Sequence, residues 1–186
     1  MLPSNLEAMA RPATYITFQV WTSDGRTHDV IVYFDSAADA IVSSSATLVD
    51  WARGHTSDGD AWLRVGAHVQ QIFSETGDRP NWGFLYLGIP SGPDSSGSIA
   101  PAGISRTTFA RTGILPPDGT DMPQHAGPDG PVLAYTHRFS VGAKPQQTTI
   151  VAAVDMVCVH VCVCVCVCVC YIEQERERDL SASECV

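Results

Sequence analysis

From Thr27 to Asp35 the chain reads Thr-His-Asp-Val-Ile-Val-Tyr-Phe-Asp, and its character alternates residue by residue. His28, Val30, Val32 and Phe34 fall on one face of an extended strand, and Asp29, Ile31 and Tyr33 fall on the other. Tyr15 to Trp21 is likewise rich in β-branched and aromatic residues. The same signature recurs at Ala46–Trp51, Ala61–Val65, His68–Phe73, Gly83–Leu87, Val132–Phe139 and Thr148–Val154, with Gly/Pro/Asp turn clusters between the segments. Short alternating strands at this spacing predict an all-β fold, an antiparallel β-sandwich with long loops. Composition supports this reading. Only two glutamates and one lysine, Lys144, precede residue 157, so the residues that usually clothe exposed helices are scarce.

In more detail, Asp24-Gly25 predicts a turn joining Tyr15–Trp21 to Thr27–Asp35 as a β-hairpin. Gly66 predicts a bulge between two strands. Ser36–Val42 has room for one helical turn, Ser91–Ala102 reads as a Gly/Ser/Pro loop, and Arg106–Phe109 reads as a short pairing segment. Pro116–Pro131 reads as a second long loop.

Residue 157 marks a break. All 15 glycines and 12 prolines lie before it, and all seven cysteines lie after it. From Val157 to Cys170 valine alternates with cysteine, with His160 as the one exception, which puts Cys158, His160, Cys162, Cys164, Cys166, Cys168 and Cys170 on one strand face. Three readings compete. Thiolates with an imidazole suit a soft metal ion, although repeats without turns wrap poorly around one ion. Residues 150–172 have about the ~20-residue length of a membrane span, but Asp155 and His160 interrupt it and no polybasic flank orients it. The third reading, favoured here, is low-complexity sequence of the kind a GT dinucleotide repeat encodes, brought into frame by a retained intron or a frameshift. The mixed-charge run from Glu173 to Asp179 that follows has no apolar pattern. The expected organisation is therefore a linker at 1–10, a sandwich domain at 11–154, and the repeat with its charged tail at 155–186.

The net charge of −9 disfavours a general nucleic-acid binder, because phosphate affinity needs a surplus of Lys and Arg. The amino terminus has no basic and apolar pattern of a secretory signal. The body holds no G-x-S-x-G elbow, H-E-x-x-H or Gly-rich phosphate loop, and His28, His55, His68, His125 and His137 are scattered. No catalytic residue, cofactor or metal site is expected there. Trp21, Trp51, Trp62 and Trp82 allow two readings, a carbohydrate-stacking platform if they are exposed in a row, or core and domain-interface residues.

Several segments resemble the amino-terminal domain of fungal glutaminase A-type proteins. Trp21-Thr22-Ser23-Asp24-Gly25-Arg26-Thr27-His28-Asp29-Val30 is similar to that family's first hairpin. Tyr33-Phe34-Asp35 and Val49-Asp50-Trp51 continue the likeness. Gln71 to Gly83, with Tyr86 after it, is the most specific match, and Phe109–Leu115, Pro131–Ala134 and Thr148–Val154 follow in order. The resemblance covers about residues 11–154. It implies a secreted, extracellular family in which a β-sandwich precedes a helical toroid domain and the activity is hydrolysis of L-glutamine to glutamate and ammonia. The expectation is that this chain is a fragment of such a protein, a non-catalytic sandwich whose partner is the helical domain. The alternatives are a stand-alone carbohydrate-binding module and an amidohydrolase with its site in the body. Glu75, Asp78, Arg79 and Trp82 share one loop and are the candidates for an interface or cleft. The competing reading has Asp78 paired with Arg79 and capping a turn over Trp82.

Overall fold

A computed structural model describes residues 12–72, 75, 76 and 79–155, with the backbone alone at 75, 76, 79 and 80. The Val-Cys repeat, its metal and membrane readings and the charged tail lie outside the described residues, except that 150–155 belong to a strand. Among the described residues no helix is long and apolar enough to cross a membrane.

The elements are β1 (Ala13–Val20), β2 (His28–Ala37), a 3-10 turn (Ala38–Ile41), β3 (Leu48–His55), β4 (Ala61–Ala67), β5 (Glu75–Thr76), β6 (Arg79–Pro80), β7 (Phe84–Ile89), β8 (Ser95–Pro101), α1 (Ala102–Thr112), β9 (Gln124–His125), β10 (Pro131–Val141) and β11 (Gln146–Asp155). A large sheet runs β1-β11-β7-β4-β3-β9, a small sheet runs β2-β10-β8, and β5 pairs with β6. Each pairing is antiparallel. This is the all-β sandwich that the alternation predicts.

The core lies between the two sheets. Leu63, Val65, Leu87 and Ile89 of the large sheet meet Ile99, Leu133 and Tyr135 of the small one, and Ile150 closes one side. Removing each such aliphatic side chain from water contributes about 1.5–3 kcal/mol, which makes this layer the main support of the fold. Trp51 joins it, and its indole N–H donates to the Gly119 carbonyl at 3.0 Å. Asp118 holds the same long loop, accepting from the Ile99 backbone N–H at 3.0 Å and from Arg53 at 2.9 Å.

Five expectations need correction. Gly66 makes no bulge; it lies inside β4 in unbroken register, opposite Asp50 on one side and Phe84 on the other. Segments 15–21 and 27–35 are both strands but do not form a hairpin. β1 spends its hydrogen bonds on β11, and β2 spends its own on β10. The connection between them crosses from one sheet to the other beside the β10–β11 connection, and the Thr22 N–H donates to the Gly142 carbonyl at 3.1 Å to join the two crossings. Asp24 still makes a local turn, its Oδ1 accepting from the Arg26 N–H at 3.0 Å.

The strand expected at 68–73 is absent from its described part, 68–72, because β4 ends at Ala67 and Gln70 turns back to bond the chain at Gly83. More than half of the expected 91–102 loop is β8, whose Ile99 and Ala100 are buried. Arg106–Phe109 lies in α1, not in a strand. That helix starts after Pro101 and ends at Gly113, whose φ of 69° is the left-handed conformation that favours glycine at a helix end. Its Gly103, Thr107 and Thr108 are poor helix formers, so tertiary packing holds it rather than propensity. The single turn expected within 36–42 is present at Ala38–Ile41.

Candidate functional site

The loop singled out in the sequence is a small β5–β6 ladder in which Glu75 opposes Pro80 and Thr76 opposes Arg79. Two glutamines tie its base. The Gln71 N–H donates to the Asn81 carbonyl at 3.2 Å, and Asn81 Nδ2 donates to Gln71 Oε1 at 2.8 Å. The Gly83 N–H donates to Gln70 Oε1 at 2.6 Å, and Gln70 Nε2 donates to the Ala67 carbonyl at 2.7 Å. Asp78 lies outside the described residues, as do the side chains of Glu75 and Arg79; Trp82 is half-buried at the base of the ladder.

The four tryptophans do not form a row. Trp51 is in the core, Trp62 and Trp82 are half-buried, and Trp21 is 58% exposed on the crossing loop.

The two outer faces of the sandwich differ. On the small sheet, α1 packs over Val132 and Ala134, both fully buried, with Ala102 and Leu115 beside them. Tyr33 and Phe109 stack with ring centroids 4.7 Å apart. Arg106 donates through Nε to Asp35 Oδ2 at 2.8 Å and through a terminal nitrogen to Asp35 Oδ1 at 2.9 Å, a bidentate pair. The Tyr33 hydroxyl donates to Asp35 Oδ2 at 2.8 Å. The Arg106 bonds hold the Asp35 carboxyl below the usual carboxylate range, and burial raises the Tyr33 phenol.

The outer face of the large sheet carries no helix among the described residues. Its strands alternate so that Leu63, Val65, Leu85 and Leu87 point inward while Trp62, Arg64, Phe84 and Tyr86 point out. Gly54 and Gly66 provide the floor. A Cβ on Gly54 would sit 2.4 Å from the Trp62 ring, and one on Gly66 would sit 2.5 Å from both the Phe84 ring and the Gly83 carbonyl. The rings therefore lie directly on bare backbone, the cross-strand covering known to support glycines in sheets. The Arg64 guanidinium sits 4.6 Å over the Phe84 ring and 5.9 Å from that of Trp62. Trp62 and Tyr86 are tilted by 60° at 6.1 Å.

Asp155, opposite Phe84 at the end of β11, closes this face. Burial pushes its carboxyl upward, opposed by the Arg64 charge. At one margin His68 Nδ1 lies 2.6 Å from Asp50 Oδ2.

These outward residues were missed because the sequence reading tracked which segments were strands, not what their solvent faces carried. The signal was present, since Trp62-Leu63-Arg64 and Phe84-Leu85-Tyr86 put aromatics where a solvated face would carry polar groups.

Inside the sandwich a polar string runs toward its edge. Tyr135 Oη and Thr148 Oγ1 are 2.9 Å apart, and Ser95 Oγ is 3.0 Å from His137 Nδ1. Burial lowers the His137 pKa, with Asp94 opposing it. A serine beside an imidazole is the start of nucleophile chemistry. Here, however, the pair is half-buried at the edge of the core, where His137 packs T-shaped on the buried Phe139 at 4.4 Å, and no third group completes a relay among the described residues. Among the described residues no group of three or more His, Cys, Asp or Glu side chains is arranged to hold a metal ion.

The family model described as a domain of unknown function, DUF5127, matches residues 1–162. The chain belongs to that family. Two curated proteins are similar to this DUF5127 chain. Glutaminase A of Aspergillus oryzae is 25% identical over 173 residues, which cover 82% of this chain and 25% of that protein. A probable glutaminase of Arthroderma benhamiae is 26% identical over 162 residues, covering 83% of this chain and 18% of the relative. The resemblance to glutaminase A-type proteins is thereby shown as a distant relationship, and the chain spans a quarter or less of the length of these relatives.

Proposed function

We propose that this DUF5127 chain supplies a non-catalytic sandwich domain to a glutaminase A-related protein and packs there against a helical domain. The observation that carries this reading is one of length. The shared stretch is 25% of one relative named as a glutaminase and 18% of the other, so the matched sandwich is a minor part of each. The covering of one outer face by α1, beside a second face of aromatic rings on bare backbone, adds support. In this reading the family activity, hydrolysis of L-glutamine to glutamate and ammonia, belongs to the longer protein, and the extracellular location goes with it. The half-buried Ser95–His137 contact then serves packing. Ammonia release from L-glutamine by this chain and by the intact A. oryzae protein, at equal molar concentration, tests the proposal. Turnover is expected from the A. oryzae protein alone. Turnover by this chain that is lost in Ser95→Ala would overturn the proposal and establish an amidohydrolase site in the body.

A further inference from the structure

The sandwich has two outer faces, and among the described residues a helix closes only one. We infer that the other, the Trp62–Arg64–Phe84–Tyr86 face of the large sheet, is the docking surface for the rest of the longer polypeptide, which meets it with an apolar patch carrying a carboxylate for Arg64. This rests on the packing proposed above and assigns it to a place.

Four observations converge. The first is the length relation, since three quarters or more of each relative lies beyond the shared stretch. The second is position. β11 ends at Asp155 opposite Phe84, so the last described residue lies at the border of this same face. The third is chemistry. Phe84 and Trp62 hold the Arg64 guanidinium, yet among the described residues no acceptor lies within hydrogen-bond distance of it. An arginine that is oriented by rings, half-buried and unspent as a donor suits a bidentate carboxylate. The fourth is the surface itself. Val151 beside the three rings makes a half-buried apolar strip, and aromatic residues with arginine are the composition enriched at interface centres. The glycine floor keeps the rings low, so a flat surface can approach.

The rings are not arranged for a sugar. Trp62 and Tyr86 are tilted by 60° and Phe84 and Tyr86 by 69°, and the guanidinium occupies the Phe84 ring face.

The test uses intact A. oryzae glutaminase A. Single cysteines are placed at the positions aligned with Trp62 and Tyr86, and separately at those aligned with Ile104 and Arg111 on the exposed side of α1. Maleimide labelling is read site by site by mass spectrometry, and retained glutaminase activity reports folding of each variant. The strand positions are expected to label at least about tenfold more slowly than the helix positions, reacting only through opening of the interface. Slow labelling on the helix with fast labelling on the strands would overturn the assigned face and leave domain packing standing. Fast labelling at all four positions would overturn both. If the strand variants lose activity on substitution, alanine at the same positions in this chain separates the cases. Unchanged melting of this chain would show that the loss arises from docking. A collapse of melting would make these residues part of the sandwich's own core and overturn the inference.

Discussion

The two outer faces of this sandwich are built from the same alternating strands, yet the chain treats them in opposite ways. Over the small sheet it lays a helix, spends Arg106 bidentately on Asp35, adds the Tyr33 hydroxyl and stacks Phe109 on Tyr33. Over the large sheet the described residues lay side chains only. Trp62 and Phe84 cover glycines, Arg64 rests on rings without a described acceptor, and Asp155 stands beside them with its pKa raised by burial. Charges on the first face are satisfied within the domain. Arg64 and Asp155 on the second act on each other only through space, with no hydrogen bond to either side chain among the described residues, which leaves donors and acceptors open to a partner from elsewhere.

The strictest way to break the comparison is to fill the glycine floor. Gly66→Ala sets a methyl against the Gly83 carbonyl, which is backbone and cannot swing aside. Overpacking of this kind costs about 1–3 kcal/mol, and urea unfolding should show it. Gly54→Ala meets only the edge of the half-buried Trp62 ring and should cost less. Equal costs would mean that Trp62 is as immobile as backbone and that the face is finished rather than adaptable.

A smaller effect sharpens the contrast between faces. Phe109→Ala removes the ring that fastens α1 and should cost roughly 1–2 kcal/mol, below the value for a fully buried phenylalanine because this ring is half-buried. Tyr86→Ala, on the uncovered face, should cost less than about 1 kcal/mol in this chain by itself. The reverse order in thermal melts would show that the large sheet's outer face supports the domain.

How much of this was legible in the sequence follows from what each element depends on. β2, β10 and β11 were readable because a period of two is a local property. The pairing of β1 with β11 was not, since it joins residues as far apart as Ala13 and Ala153, and a local Asp-Gly signal pointed to the nearer partner. α1 was missed because Ile104, Thr107 and Thr108 are β-branched, and what makes it helical is the sheet beneath Ala102 and Ser105, both buried. In the candidate site, the ladder around Glu75 and Arg79 was flagged for its unusual sequence. The face at Arg64 and Asp155 emerged only once the register put three strands, β11, β7 and β4, side by side.

The sign of two charge-neutralising substitutions tests the central contrast most directly. Asp35 is held below its usual pKa by Arg106. Its stabilisation is therefore present above the ordinary carboxylate range and is lost as pH falls through the folded value. Asp155 is raised by burial, so its ionised form penalises the fold at neutral pH, and the penalty is relieved as pH falls through its folded value. Melting temperatures of Asp35→Asn and Asp155→Asn at neutral pH should move in opposite directions, down for the first and up for the second, and both differences should fade in acid. If Asp155→Asn also lowers the melting temperature, that carboxylate is satisfied within the domain, and the two faces are not the contrasting pair described here.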